Sequence, residues 1–542
     1  MKGVGACQPC TEPSILPLAL NSVRPLGSGL PLVVCLERSS NPLGATARFR
    51  GAMTIETLSS PAVTSTLLGM LYFLVTGYFA TVVIMKRRPV GVALSWLLLL
   101  ILLPVVGVVL FLLFGVHGLG RQRLRRSEEI SPAYTAWVSA FRKDIIAQGY
   151  RPVGHHNRVH QLTLRTLRIP AIPGNCVELF STTDSIFSAL LKDIDQAVRF
   201  VHLEFYIFQS GGLMSRMVAA LKKAAQRGVQ CRVLLDAVGS SQFLRSTDAI
   251  SLKKAGICIQ AAMPVGPVRV LFERIDLRNH RKLIVIDDAI AWTGSLNMID
   301  PALFKQRSGV GQWVDAMLRI EGWAAHVCAN VFSYDWEMET GENLAMAPHR
   351  EISSYLPSGS DAAVHIVPSG PGADRQLIHF VLLAAIYECQ EKLTVSTPYF
   401  VPDEALVSAL CSAALRGVQV TLVVPERVDS RLVYYASRSY YEDLIDAGVE
   451  IRHFCDGLLH TKCVLVDDEM VLFGTVNLDM RSVWLNLELT LVVYNATFGA
   501  CIAELLDGYI SKSRVVQGKV WKKRPLIQRL AENCAQLLSP LL

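Results

Sequence analysis

The sequence predicts an α/β protein: two pseudo-symmetric copies of one strand–helix–strand unit facing a shared site, preceded by an N-terminal transmembrane helical hairpin. Three observations carry this. Two long uncharged apolar runs lie near the start of the chain. A strand–helix–strand pattern then occurs twice. Each copy ends in the same dense set of polar residues at the same internal spacing.

Composition narrows the class first. Of 542 residues, 51% are hydrophobic and 18% charged, which excludes a disordered chain or a coiled coil. The mean hydropathy of +0.34 points to membrane contact. The net charge of +7 is too small for bulk nucleic-acid binding and suits work beside anionic lipid. Thirteen cysteines are scattered, and Cys7 and Cys10 form a CxxC with no second pair at zinc spacing. Reduced thiols, no metal and no cofactor are expected, which fits a cytoplasmic compartment.

Residues 1–52 are rich in Pro, Gly and Ser and lack a period. They read either as a disordered tail or as residues upstream of a true start at Met53. The hairpin occupies 53–126. Its runs, Val63 to Met85 and Val90 to Phe114, hold 23 and 25 residues without a charge. At about 1.5 Å per residue each is long enough to span a bilayer, with Pro104 tolerated in the second. A buried core hairpin or a re-entrant pair is the alternative. Lys86, Arg87 and Arg88 form the turn, and Arg121, Arg123, Arg125 and Arg126 flank the far end. That balance favours a multi-pass membrane protein with its large C-terminal part facing the cytoplasm.

Residues 127–174 read as a linker, 175–345 as the first domain and 346–542 as the second. Strand Arg199 to Phe208, helix Leu213 to Arg227 and strand Val229 to Leu235 return as Lys392 to Phe400, Glu404 to Arg416 and Val418 to Val424. Arg227-Gly-Val-Gln230 matches Arg416-Gly-Val-Gln419, 189 residues on, while His280 matches His460 only 180 on. The difference is an insertion in the first copy, expected within Met263 to Asn279.

The polar signature is His280-Arg-Lys282, Asp287, then Gly294-Ser295-Leu-Asn297. Its partner is His460-Thr-Lys462, Asp467, then Gly474-Thr475-Val-Asn477. Residues two apart share a strand face, so each His stands beside its Lys. Lys supplies positive charge, and Ser295, Asn297, Thr475 and Asn477 supply neutral donors, a set that suits phosphate. An imidazole beside a phosphate can attack phosphorus or deliver a proton to a leaving oxygen. Asp287 and Asp467 complete the motif, either as catalytic groups or as strand-end turn residues. Each histidine needs a group to hold its other ring nitrogen. Asp315, 35 residues after His280, and Glu488, 28 after His460, are the candidates, each expected to serve its own copy.

The paired H-x-K-x4-D-x6-G-S/T-x-N signature resembles that of the phospholipase D superfamily. Thr293-Gly-Ser-Leu-Asn-Met-Ile-Asp-Pro301, Gly309-Val-Gly-Gln-Trp-Val-Asp315, Thr397-Pro-Tyr-Phe400 and Gly474-Thr-Val-Asn-Leu-Asp-Met-Arg-Ser482 extend the likeness. Together with the hairpin and the ending Lys523 to Leu542 they resemble membrane-anchored bacterial cardiolipin synthases, from about residue 53 onward. The resemblance implies two phospholipase D-type sandwich domains. It also implies that two phosphatidylglycerol molecules are joined into cardiolipin, with glycerol released, through a phosphohistidine on His280 with His460 as acid and base. A hydrolytic phospholipase D, another phosphatidyltransferase and a non-enzymatic membrane scaffold are the competing readings. Finally, Leu526, Ile527, Leu530, Cys534, Leu537, Leu538 and Leu541 recur at helical spacing beside Lys519, Lys522, Lys523, Arg524 and Arg529. That stripe packs against the second copy or lies in the membrane interface, and Arg269, Arg274 and Arg278 of the insertion are a second candidate contact.

Overall fold

The computed structural model describes residues 61–86, 90–115, 121–147, 157–266, 276–305, 308–344, 361–371 and 376–539. Residues 1–52 and the centre of the expected insertion, 267–275, lie outside the described residues. The chain divides into two units, Met1–Tyr72 and Phe73–Leu542; the described part of the first is the start of helix Pro61–Met85.

That helix contains one apolar stretch, Val63–Met85, long enough to cross a membrane. The second apolar run does not form the single helix expected. It breaks into Val90–Leu102, Pro104–Leu110 and a π-helical turn, Phe111–Gly115. Proline lacks an N–H and forces the preceding residue out of the helical region. Leu103 accordingly takes φ −134° and ψ 68°. The chain then doubles back, so that a Cβ on Gly107 would lie 2.8 Å from the carbonyl oxygen of Leu99. Val83, Leu100 and Phe111 pack together, with Phe79 and Trp96 edge-on to the Phe111 ring.

Among the described residues a single sheet of fifteen strands follows. The first half contributes β1 (Ile172–Phe180), β2 (Phe200–Phe205), β3 (Gln230–Asp236), β4 (Cys258–Ala262), β5 (Lys282–Ile286), β6 (Ile290–Gly294) and β7 (Met317–Glu321). The second contributes β8 (Ala362–Ser369), β9 (Lys392–Ser396), β10 (Gln419–Pro425), β11 (Glu450–Phe454), β12 (Cys463–Val466), β13 (Met470–Gly474), β14 (Glu488–Tyr494) and β15 (Ser513–Val515). Outward from the centre the orders are β1-β7-β6-β5-β2-β3-β4 and β8-β14-β13-β12-β9-β10-β11-β15. The halves are therefore the same fold, with β15 extra. They join through the antiparallel β1–β8 pair, Ile172 opposite Val364 and Asn175 opposite Ala362. Buried Asn175 seals the joint: its amide donates to the carbonyls of Ile172 and Ala362, and its oxygen accepts from the N–H of Ala324.

Both sheet faces are covered, which explains why the strands after each H-x-K are continuously apolar rather than alternating. Leu283 and Val285 enter one core, and Ile284 and Ile286 another. In the second half Cys463 and Leu465 enter that same first core, while Val464 and Val466 enter a third. One core thus runs under both halves, and each half has its own core on the opposite face. Helices Trp323–Thr340 and Ala496–Ser511 line the shared core.

The expected linker 127–174 is mostly structure. Helix Arg121–Ala147 buries Trp137, Phe141 and Ile145 in the shared core, and Arg123 pairs with Glu339. Helix Asn157–Leu167 puts Val159 into the second half's core. The strand that opens the first half begins at Ile172.

Candidate active site

Short backbone pairings between the halves bring the two signatures together. The His280 N–H donates to the carbonyl of Leu487, the residue before Glu488, at 2.9 Å. The His460 N–H donates to the carbonyl of Val314, the residue before Asp315, at 2.8 Å, extending the Leu458–Leu459 and Trp313–Val314 ladder. These pairings correct the expected assignment of carboxylates. Glu488 holds His280: its oxygens lie 2.9 and 3.0 Å from Nδ1. Asp315 holds His460, with Oδ1 2.7 Å from Nδ1. Each histidine is oriented by the other half. With a carboxylate facing Nδ1, that nitrogen carries the proton and Nε2 keeps its lone pair.

Each lysine contacts the histidine two residues before it. Lys282 Nζ lies 2.9 Å from the His280 carbonyl oxygen and 3.4 Å from its Nε2; Lys462 Nζ lies 2.6 Å from the His460 carbonyl oxygen. All four groups are buried. Burial pushes the Lys282 ammonium down to about 8 and holds Lys462 well below its usual range, helped by Lys282. Burial likewise brings His280 to about 4 and His460 to about 3, each partly offset by its carboxylate. Lys462 further depresses His280, and Lys282 depresses His460, so each histidine feels the lysine of the other half. Burial raises the Asp315 carboxyl, but His460, Lys462 and Ser295 outweigh it and leave it below the usual range.

The other motif residues make the following contacts. Ser295 donates to Asp315 at 2.6 Å and accepts from the Ala316 N–H; Thr475 donates to Glu488 at 2.5 Å and accepts from the Leu489 N–H. Both hydroxyls therefore steady carboxylates instead of facing a phosphate. Asp287 and Asp467 are turn residues with φ of 55° and 50°. Asp287 accepts from the N–H groups of Val198, Arg199 and Phe200, and Asp467 from those of Gln390, Glu391 and Lys392. Each ties the end of its strand to a neighbouring strand's start and touches neither histidine. Asn297 accepts from the Ile207 N–H, and Asn477 donates to Asp479 and Ser482. The buried Oδ1 of Asn477 has no protein partner.

Several site residues carry no motif of their own. Trp313 lies against the His460 ring, centroids 4.3 Å apart, and Tyr206 against His280, at 5.0 Å. Arg281 points away from the pocket, donating to the Glu488 carbonyl and pairing with Asp335. Glu204 accepts from the Asn279 side chain at 2.6 Å, and burial pushes its carboxyl up to about 7. Of these, Trp313 lies in the Gly309–Asp315 stretch of the family resemblance and Arg281 and Asn279 adjoin His280, while Tyr206 and Glu204, in the strand from Arg199 to Phe208, had no sequence signal for the site. Among the described residues no cluster of three or more His, Cys, Asp or Glu is arranged to hold a metal ion.

Two histidines, each backed by a carboxylate and flanked by a lysine, meet where two copies of one α/β fold join. That arrangement places the protein in the phospholipase D class. A family model described as cardiolipin synthase, PLD-like domain, matches residues 190–336 and 382–509, and one described as phospholipase D-nuclease N-terminal matches 74–115. Cardiolipin synthase A of Klebsiella pneumoniae is 44% identical over 87% of this chain and 97% of its own length; that of Serratia proteamaculans is 43% identical over 87% and 98%. A phosphatidylserine synthase structure from Haemophilus influenzae shares the fold, with a TM-score of 0.55 at 13% identity, over 71% of this chain and all of that one. The chain belongs to the cardiolipin synthase family of the phospholipase D superfamily.

Proposed function

We propose that this membrane-associated phosphatidyltransferase joins two phosphatidylglycerol molecules into cardiolipin and releases glycerol. The observation that carries the reading is the crossed pair, His280 with Glu488 and His460 with Asp315. His280 is the nucleophile: its imidazole is the more open of the two, 11% exposed against 3%. Its Nε2 attacks the phosphorus of the first lipid. The bond from phosphorus to the headgroup oxygen breaks, and protonated His460 gives that oxygen its proton, so glycerol leaves. His460, now neutral, takes the proton from a headgroup hydroxyl of the second lipid. That oxygen attacks phosphorus, the P–N bond breaks and His280 is restored.

The lysines explain how a histidine with so low a pKa can serve as an acid. In the empty pocket they repel a proton. A bound phosphate diester brings one negative charge, which offsets part of the repulsion from the two ammonium groups, and His460 then gains its proton more readily. Nucleic acid has no part in this reading.

The catalytic halves follow the arginine-rich flank that begins at Arg121. Whether the broken second run crosses the bilayer or turns back, that flank carries at least as much positive charge as the opposite side, which supports a cytoplasmic face for the halves. Incubating the purified full chain with vesicles of phosphatidylglycerol alone tests the chemistry. Cardiolipin and glycerol are expected. Phosphatidic acid and glycerol would make the protein a hydrolase, and no product would leave it a scaffold.

A further inference from the structure

The C-terminal helix Leu526–Gln536 is mounted with its apolar side outward. It packs against helix Arg431–Ser439 through the side bearing Glu532, Ala535 and Ser539, all buried. Polar bonds hold that side: Arg524 Nε and Gln528 Nε2 donate to Glu532 at 3.1 and 2.9 Å, and the Tyr440 and Ser539 hydroxyls lie 3.2 Å apart. At about 100° per residue the opposite face carries Leu526, Ile527, Leu530, Cys534, Leu537 and Leu538. Leu526, Ile527 and Leu537 are 80%, 74% and 81% exposed, and the others are exposed as well. A helix whose apolar stripe served the core would sit the other way round.

The charges around the stripe are mostly positive. Lys519, Lys522, Lys523 and Arg529 are exposed, Lys522 pairs with Asp446 and Arg529 lies near Glu442, and the single acidic residue after Val516, Glu532, is buried. The first half has no counterpart to β15, so the sheet's repeat does not call for this extension.

We infer that this helix is a second membrane contact, lying in the interface of an anionic phospholipid bilayer with its leucines among the acyl chains and its lysines at the headgroups. A protein partner would not require this excess of positive charge beside an exposed leucine face, whereas an anionic surface does. The bilayer is at hand, because the same chain carries an apolar helix long enough to cross it. Insertion would hold the halves against the lipid surface rather than let them swing from the N-terminal tether. The inference is independent of which products the enzyme makes.

Photo-crosslinking in the full chain tests it. Benzoylphenylalanine replaces Leu530 or Leu537, and the protein is reconstituted in nanodiscs of phosphatidylglycerol or of phosphatidylcholine. Both sites are exposed, and an unchanged melting temperature verifies the fold. Lipid adducts are expected in phosphatidylglycerol, about fivefold or more fewer in phosphatidylcholine, and fewer again in K519Q/K523Q, since each charge near the surface contributes about that factor. Adducts to a second copy of the chain or to another protein would overturn the inference. So would equal yields in the two lipids, or no lipid adduct at all.

Discussion

His280 and His460 are gripped at the same ring nitrogen but by different acids and beside different aromatic rings. The crossing makes a sharp kinetic prediction. Glu488→Gln should disable His280, so no phosphatidyl-enzyme forms. Asp315→Asn should leave the nucleophile intact but impair His460, so labelled enzyme accumulates. Both should lower kcat by about 10²–10⁴-fold with little change in KM. Rapid quench with phosphate-labelled lipid reads both outcomes, and the opposite labelling would reverse the roles of the histidines. A second prediction concerns pH. His280 attacks only when neutral, and burial holds it near 4, so the acid limb of kcat/KM should fall below pH 5 rather than near 6.5. His460 must be protonated and is held at about 3 in the free enzyme, so kcat/KM should already decline with rising pH, and more steeply above about 8, where Lys282 loses its charge. In kcat that upper limb should move higher, because bound phosphate favours the ammonium. Ser295→Ala gives a third test. It leaves buried Asp315 short of a donor, costing about 1–3 kcal/mol and lowering kcat. A rise in KM alone would instead make Ser295 a phosphate ligand.

At the scale of elements, the two aspartates of the motif belong to stability. Asp287→Ala removes the acceptor of three backbone N–H groups and leaves alanine in the left-handed region. It should lower the melting temperature well below that of Asp287→Asn, which keeps one acceptor and tolerates that region. Thermal scans with activity per folded molecule should separate this from a catalytic defect. What was legible here follows from period. Side chains two apart share a strand face, so His beside Lys was readable from H-x-K, and helix–Gly–strand order located β2, β3, β9 and β10. The carboxylate partner was not readable, because Glu488 lies 208 residues from His280 and no local period reports contact across that separation. The hydroxyls of Ser295 and Thr475 were ambiguous for the same reason: their type says that they donate, and only the fold says to what. Likewise the spacing of Leu526, Leu530 and Leu537 marks one face of a helix without saying which way that face turns.

Over the whole molecule, the shared core and the unbroken sheet bind the halves into one cooperative body. Trp137 and Phe141, Leu283 and Leu318, and Leu465 and Leu491 meet in the same cluster. Residues 121–539 should therefore unfold in one calorimetric transition, not two. Two resolved transitions, with one half melting alone, would contradict the common core. The repeat in the sequence revealed two copies but not their fusion into one sheet, since β1 and β8 meet through edge strands that carry none of the repeated motifs.

The crossing also speaks to ancestry. A lone copy would have had a histidine with no acid behind it and an acid with no histidine before it. Two identical chains meeting about a twofold axis, each completing the other's site, would satisfy that need. Joining the copies end to end removed the need for them to stay alike. Aspartate could then stand in one half where glutamate stands in the other, and tryptophan at position 313 where asparagine stands at 486. Specialisation of one histidine for attack and the other for proton transfer is open only to a fused pair, because in a symmetric dimer any change would strike both sides at once.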